Sequence, residues 1–438
     1  MTALPFARAL ATLLVLAPSF ATANTMELYG FGPRIAALGN TGEAVADDYF
    51  ALYANPANLA LASHIHFGFG GEAIWNRFAI DRTAGTQRYP SQLPVNNQLA
   101  HVGISTPLGG FLKDKAALGV AIQLPFGNST RLDAHDYRTP QVTLYDTLAD
   151  RLVLVAGIAV RPVPWLSLGA SAQLLTTLDG RADIDLSILD HRVTQKSLDV
   201  QLLTKPYGIF GVTLLPNEDF RIGLVYRMES YVRYALPLAV RLEDVGNLNF
   251  RIAGVGLWLP DTIALATSFH RGAWLFTAGA AYARWSQLPP QAPDVRLVLD
   301  DGQLKQRGNP PDQLLYVNNV PIAMAAKDIV QPRAGVEWQF SEGLVWRAGV
   351  QYRPTFLPRA DGAATYLDAP ATTLAVGAGL TLADPLNLSR KPLHLDATLG
   401  YTVMSRRTVQ KRDAADPIGA TSLSGDSIHL ALALHHDF

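Results

Sequence analysis

Three groupings in this 438-residue chain have the residue types and spacing that chemistry requires. Gly425-Asp426-Ser427 has the order of a lipase nucleophile box, in which a serine attacks an ester carbonyl. His64-x-His66 and His435-His436 pair imidazoles as metal sites do. Arg221, Arg227, Arg347 and Arg353 could each grip a carboxylate through the planar guanidinium fork. The serine runs straight into an alternating strand, without the strand–turn–helix setting that exposes a nucleophile. His64 and His66 share one strand face with no third ligand nearby, and His435 and His436 point to opposite faces, so both pairs are expected to be structural. No phosphate loop, dinucleotide fingerprint or zinc motif occurs. The expectation is a protein without catalysis, metal or cofactor. The arginines stay open between two roles. Arg227 and Arg347 are candidates for contact with a ligand carboxylate, and pairing with Glu229, Glu337, Asp396 or with Glu43, Asp47 and Asp48 would use the same groups. Lumen charges must be paired or wet.

The elements that would carry these residues are strands. From Ser427 to Phe438, Ile428, Leu430, Leu432, Leu434 and Phe438 share one parity, while Ser427, His429, Ala431, Ala433, His435 and Asp437 share the other. A period of two places successive side chains on opposite faces of a sheet. A greasy face ending on Phe438 suits the closing strand of an outer-membrane barrel, with lipid outside and lumen inside. Phe438 is the expected assembly signal for the barrel assembly machinery, although His436 stands where such barrels often carry a second aromatic. The alternation recurs: Leu152 to Val160, Leu166 to Leu174, Phe220 to Met228, Ala334 to Phe340, Leu344 to Tyr352 and Leu393 to Val403 each oppose Gly, Ser, Arg, Thr or acidic residues. Trp165, Trp258, Trp274, Trp285 and Trp346 lie near strand ends and read as aromatic girdles.

These patterns predict an all-β fold, a transmembrane antiparallel barrel of about fourteen strands. The expected strands are 64–76, 98–107, 116–125, 150–161, 165–187, 195–215, 219–240, 259–271, 273–287, 329–340, 344–356, 371–382, 392–408 and 425–438. Pro162-Val163-Pro164, Pro216 to Asp219 and Ser341-Glu342-Gly343 read as periplasmic turns. The polar stretches 77–97, 126–149, 288–328 and 357–370 read as extracellular loops.

Composition agrees. Lys plus Arg (36) nearly cancels Asp plus Glu (37), so nothing suggests a nucleic-acid partner. Cysteine is absent, which avoids mispairing in an oxidising compartment. A hydrophobic share of 49% with only 17% charge is high for a chain without a membrane helix, unless strands expose apolar residues to lipid. Arg8, the apolar run Ala9 to Ala17, Pro18 and Ala21-Thr22-Ala23 predict a signal peptide over 1–23, cleaved after Ala23. The apolar run is far shorter than the roughly 20 residues of a membrane-spanning helix.

Residues 24–63 fit no strand. Gly30, Gly32, Pro33, Gly39 and Gly42 make the segment turn-rich, Ile35 to Leu38 could form a helical turn, and its apolar content argues against a disordered tail. It is expected to fold as a hatch inside a barrel spanning 64–438. The run Gly42-Glu43-Ala44-Val45-Ala46-Asp47-Asp48, followed by Asn55-Pro56-Ala57, resembles the N-terminal hatch of the FadL/TodX family of outer-membrane transporters. Ile222 to Arg227 is similar to the family's GLxYR strand, and Leu259-Pro260-Asp261 followed by Trp285-Ser286-Gln287 to its LPE…WSQ pair. Arg347 to Tyr352 is similar to its R-G-x-x-Y strand.

The resemblance implies passive uptake of long-chain fatty acids or other hydrophobic molecules across the outer membrane of a Gram-negative bacterium, by a monomer. It implies release sideways into outer-membrane lipid through a kink in the third strand, facing Asn55-Pro56-Ala57. Here that strand is 116–125, with Gly119 the position for a bend and Pro125 ending its pairing. The polar 126–149 stretch (Arg131, Asp133, His135, Asp136, Arg138) differs from the apolar outer groove of fatty-acid transporters. Two further classes stay open: a barrel anchoring or assembling exported proteins, and a barrel phospholipase. A continuous apolar path from loops to third strand would favour transport, and a hatch held by salt bridges without a pocket would favour the anchor.

Overall fold

The computed structural model describes residues 25–82, 91, 93–126, 130–132, 139–142, 144–145, 149–187, 192–242, 246–289, 294–300, 324–358, 365–383, 391–410 and 420–438. The expected signal peptide, and most of the polar stretch singled out at 126–149, lie outside them.

Fourteen strands close into an antiparallel barrel. In chain order they are β1 (His66–Arg82), β2 (Asn97–Pro107), β3 (Ala116–Pro125), β4 (Val153–Val163), β5 (Leu166–Ser187), β6 (Arg192–Leu214) and β7 (Phe220–Arg227). There follow β8 (Thr262–Arg271), β9 (Trp274–Ala283), β10 (Ile329–Ser341), β11 (Leu344–Arg353), β12 (Ala371–Leu382), β13 (Leu393–Val409) and β14 (Thr421–Asp437). Each pairs with the next, and β14 returns to β1 in unbroken register from Asp437↔His66 to Thr421↔Arg82. Closure removes the unpaired edge that no membrane-spanning sheet can leave in lipid. At the seam His66 Nδ1 lies 2.6 Å from Asp437 Oδ1, and the Phe438 N–H donates to the Ile65 carbonyl at 2.9 Å.

The alternation read from the sequence is the alternation of the wall. Phe69, Ile104, Leu118, Ile158, Leu265, Val376 and Leu399 are exposed on the outer face, while Ala121, Val155, Ala266, Ala375 and Ala431 are buried on the inner one. Small lumen residues leave room for a plug. Trp165, Trp274 and Trp346 are exposed at strand ends as expected of a girdle, and Trp274 stacks on Trp338 at 5.4 Å. Trp258 and Trp285 do not belong to it. They are buried, 5.7 Å apart, on the inner side of the wall.

Several expected strands are shorter than predicted. The segment 219–240 breaks at Met228-Glu229, and 259–271 begins only after Pro260-Asp261. Arg227↔Thr262 is the last rung between β7 and β8, and Ser230↔Leu259 opens a separate hairpin of Ser230–Leu242 and Gly246–Leu259. Pro260 has no N–H to carry the ladder across the break. The hairpin pairs in parallel with the upper part of β5 and antiparallel with a further strand, Asp294–Asp300, so part of the expected 288–328 loop is sheet. The expected strand 273–287 stops at Ala283, and Trp285–Gln287 is a 3-10 turn.

Residues from Thr25 onward form short helices, α1 (Thr25–Tyr29), α2 (Pro33–Ala37) and α3 (Ala51–Ala54), with 3-10 turns at Gly42–Ala44 and Pro56–Leu61. Phe31, Ile35, Leu38, Tyr49, Phe50 and Leu52 of this segment are buried against barrel residues such as Ala117, Val155 and Ile209.

Candidate functional site: the plugged lumen

The centre of the hatch is Asn55. Its side-chain amide donates to the Glu43 carbonyl at 2.8 Å and to Thr213 Oγ1 of β6 at 2.9 Å, and its Oδ1 accepts from the Ala57 N–H at 3.1 Å. Asn55 is thus the N-cap of the Pro56–Leu61 turn, with Pro56 at the position where a missing N–H costs nothing. Asn58 also donates to the Glu43 carbonyl, Thr213 Oγ1 donates to Asn58 Oδ1 at 2.6 Å, and Ser167 Oγ of β5 donates to the Ala57 carbonyl at 2.5 Å. Asn55-Pro56-Ala57 is therefore fixed chiefly to β5 and β6. This contact depends on bare wall: a Cβ added at Gly169 would meet the Pro56–Ala57 backbone, and one at Gly223 the Glu43 carbonyl.

Gly119 faces the hatch through a different residue. A Cβ built there would lie 3.4 Å from both Leu52 methyls and 3.2 Å from the Ile104 carbonyl. The ladder is regular at that point. β3 pairs with β2 from Pro125↔Leu99 to Ala117↔Pro107, and with β4 from Ala116↔Val160 to Gln123↔Val153, with no register shift on either side. The bend expected at Gly119 does not interrupt the pairing in this structure.

Arg227, Arg347 and Arg353, three of the four arginines of lumen parity, are held by carboxylates of the protein. Glu43, buried in the hatch, receives Arg227 of β7 at 3.1 Å and Arg333 of β10 at 3.2 Å. Arg227 also donates to the Tyr53 and Ala54 carbonyls at 3.2 Å each. Arg34 of the hatch makes a two-point contact with Glu337 of β10, at 3.0 and 3.2 Å, and pairs with Asp47 at 3.2 Å. Arg347 of β11 shares Glu337 at 2.7 Å and also binds Asp396 of β13. Arg353 pairs with Asp368 at 2.8 Å. Arg227 and Arg333 thus fasten the hatch to the wall through Glu43, and Arg34 does so through Glu337, which Arg347 shares from within the wall. Asp48 caps Phe50 through its Oδ1 at 2.8 Å, and burial, with Asp47 beside it, pushes its carboxyl up to about 7.

The other candidate chemistry is dispersed. Ser427 Oγ shares a 2.7 Å hydrogen bond with Tyr29 OH, so the Gly425-Asp426-Ser427 serine is engaged by the hatch, and Asp426 pairs with Arg77. His64 contacts Ser63, His66 contacts Asp437, and His436 lies against the Phe438 ring. Among the described residues no group of three or more His, Cys, Asp or Glu could hold a metal ion.

An apolar cluster lies above the hatch. Trp285 stacks on Phe356 at 3.9 Å, and with Trp258, Leu259 and Leu357 they form a cluster against which Leu144, Tyr231 and Tyr366 pack. Leu259-Pro260-Asp261 and Trp285-Ser286-Gln287 meet here, since Arg284 pairs with Asp261 at 2.8 Å. Tyr231 also packs against the cluster that holds Met26, Tyr53 and Tyr207 and reaches Leu52 and Ala117 of β3. Leu144 likewise joins the first cluster to one containing Leu28, Tyr29, Ile74 and Phe78. Apolar packing therefore runs from this cluster through Tyr231 into the core of the hatch and on to β3. Arg407 of β13 holds the loop above it, donating to the Leu357, Pro358 and Asp368 carbonyls at 2.6 Å each.

A closed barrel plugged by an internal hatch defines the class of outer-membrane transport proteins of this fold. The chain belongs to the outer membrane protein transport protein family (OMPP1/FadL/TodX), whose model matches residues 14–438. A curated relative, alkane uptake protein A of Marinobacter nauticus, is 24% identical over 266 residues, 57% of this chain and 54% of that protein. The chain thus spans about half the length of the curated relative it matches. Among solved structures, a Pseudomonas aeruginosa FadL homologue matches with TM-score 0.57 and 15% identity, covering 96% of this chain and 100% of that one. The P. putida toluene transporter TodX matches with TM-score 0.57 and 14% identity, over 94% and 99%. These identities speak for the fold alone.

Proposed function

We propose that this protein is a passive channel carrying apolar small molecules, of the class of alkanes, monoaromatic hydrocarbons or long-chain fatty acids, across the outer membrane of a Gram-negative bacterium. The observation that carries the reading is the apolar packing from Trp285 and Phe356 through Tyr231 to Leu52 and β3. An apolar solute in a water-filled pore would have to stay hydrated, at roughly 25 cal/mol per Å² of apolar surface. A lumen packed with aromatic and aliphatic side chains offers it a dry route. We place release at the β2–β3–β4 wall, where Leu52 lies against Gly119. Since the ladder there is intact, release requires local opening of these rungs together with movement of α3.

The relatives support the class: one is named for alkane uptake, another for toluene transport. The anchor reading draws on one feature, the ion-paired hatch, but it leaves the aromatic cluster above the hatch without a role. The test is uptake of a radiolabelled apolar tracer by cells producing the wild type, Trp285→Ala or Phe356→Ala. Uptake above background that falls in both variants supports the channel, and background uptake with wild type rejects it.

A further inference from the structure

Strands β1, β2 and β14 hold a different kind of polar group. Glu72 of β1, His101 of β2 and His429 of β14 all face the lumen and are buried. The Glu72 side chain has 0% exposure, and neither of its carboxylate oxygens has a hydrogen bond. His429 Nε2 lies 3.5 Å from Glu72 Oε2 without forming one, and His101 Nε2 has none either. His101 is in register with Gly70, one step along the same face from Glu72. Hatch tyrosines hold both rings from above. Tyr29 stacks on His429 at 4.8 Å, and Tyr49 OH is hydrogen-bonded to His101 Nδ1 at 3.1 Å.

Buried groups of this kind are normally satisfied, and a carboxylate with both oxygens bare is the costliest to leave so. The chemistry of the three narrows what could satisfy them. Glu72 offers acceptors, and an imidazole nitrogen carrying hydrogen offers a donor within the same small region. A hydroxyl matches both, giving its proton to the carboxylate and its lone pairs to the ring. A ligand carboxylate would meet the like charge of Glu72, and a hydrocarbon would leave all three unsatisfied. Beside Glu72 on the same strand face, Ile74 and Phe78 belong to an apolar cluster with Leu28 and Tyr29.

We propose that Glu72, with His429 and His101, forms a subsite for the hydroxyl group of an aliphatic alcohol whose chain lies along Ile74 and Phe78. This rests on the uptake reading above and adds that the channel distinguishes oxygenated from bare chains. The test is equilibrium binding of radiolabelled 1-dodecanol, dodecane and dodecanoate to the full-length protein in detergent. Wild type should bind dodecanol about tenfold more tightly than dodecane, the value of one well-made hydrogen bond. Glu72→Met should abolish the preference for dodecanol over dodecane. Should that variant fail to assemble, His429→Phe keeps an aromatic surface for Tyr29, removes the donor, and should reduce the preference in the same direction. Equal affinity for dodecanol and dodecane in wild type overturns the subsite, as does a preference that survives both substitutions, or tighter binding of dodecanoate than of dodecanol. If wild type binds none of the three, the uptake reading fails and the subsite with it; if dodecane binds and dodecanol gains nothing, only the subsite fails.

Discussion

The side-chain amide of Asn55 donates to the backbone carbonyl of Glu43 at 2.8 Å, so the hatch residue that caps one turn also fixes the residue whose carboxylate binds the wall. Through this bond the Asn55-Pro56-Ala57 turn and the arginines of β7 and β10 form one unit. Asn55→Asp should uncouple it, because an ionised Asp cannot donate and would put a charge against the carbonyl. The expected cost is about 1–3 kcal/mol of hatch stability. It should appear as faster proteolysis of the hatch in a barrel that still resists heating on gels. Protection equal to wild type would contradict the assignment.

Glu43→Gln should be more damaging. It leaves Arg227 and Arg333 without their shared carboxylate in a buried site, and breaking such a pair typically costs about 3–5 kcal/mol. Glu43→Gln combined with Arg333→Met should recover part of the loss, because one unpaired charge is removed. Thermal unfolding in detergent reads both, and the coupling fails if the double variant is no more stable than the single one.

Asp48 gives the hatch a pH dependence whose sign follows from its environment. Its folded-state value, near 7, lies above the ordinary value of 3.8. The folded hatch therefore holds this proton more firmly than the unfolded chain, and the contribution of Asp48 to stability declines as pH rises from about 4 to 7. Asp48→Asn keeps the Oδ1 that caps Phe50 and removes the titration. The stability of Asp48→Asn relative to wild type should rise across that interval and level off above it. A difference independent of pH between 4 and 8 would refute the assignment.

A methyl group at Gly223 tests the close approach of plug and wall. Gly223→Ala must displace the Glu43 carbonyl while leaving the outer face of the strand untouched. The barrel should assemble, and the cells should become more permeable to a large hydrophilic antibiotic because the hatch no longer seats. Wild-type resistance with normal assembly would show that the hatch tolerates the shift.

Much of this architecture is legible in the sequence because a barrel wall imposes a period of two on every strand. The boundaries of 116–125 and 371–382 agree with β3 and β12 residue for residue. What fails is information the period does not carry. Trp258 and Trp285 lie near strand ends like girdle residues, but nearness to an end does not say which side of the wall a ring occupies. The break at Met228-Glu229 sits inside a continuous alternation, and the opposing Pro260 is its only local sign. Lumen parity marks Arg227 and Arg347 as inward-facing, but their partners Glu43 and Asp396 depend on how the hatch sits and which strands adjoin. Glu72 and His429 are more than 350 positions apart, and only closure of β14 on β1 makes them neighbours. Their sole sequence signal is that each is an ionisable residue at lumen parity.

The most direct test of the channel is accumulation of radiolabelled hexadecane by cells lacking other uptake routes, comparing no protein, wild type and Gly119→Val at equal outer-membrane levels. Valine there would press on Leu52 and favour regular pairing of β3. Wild type should raise uptake well above the empty cells, and Gly119→Val should return it close to that baseline while the barrel still assembles. Wild-type uptake no greater than in empty cells would contradict the account, and full uptake by Gly119→Val would move the exit away from β3.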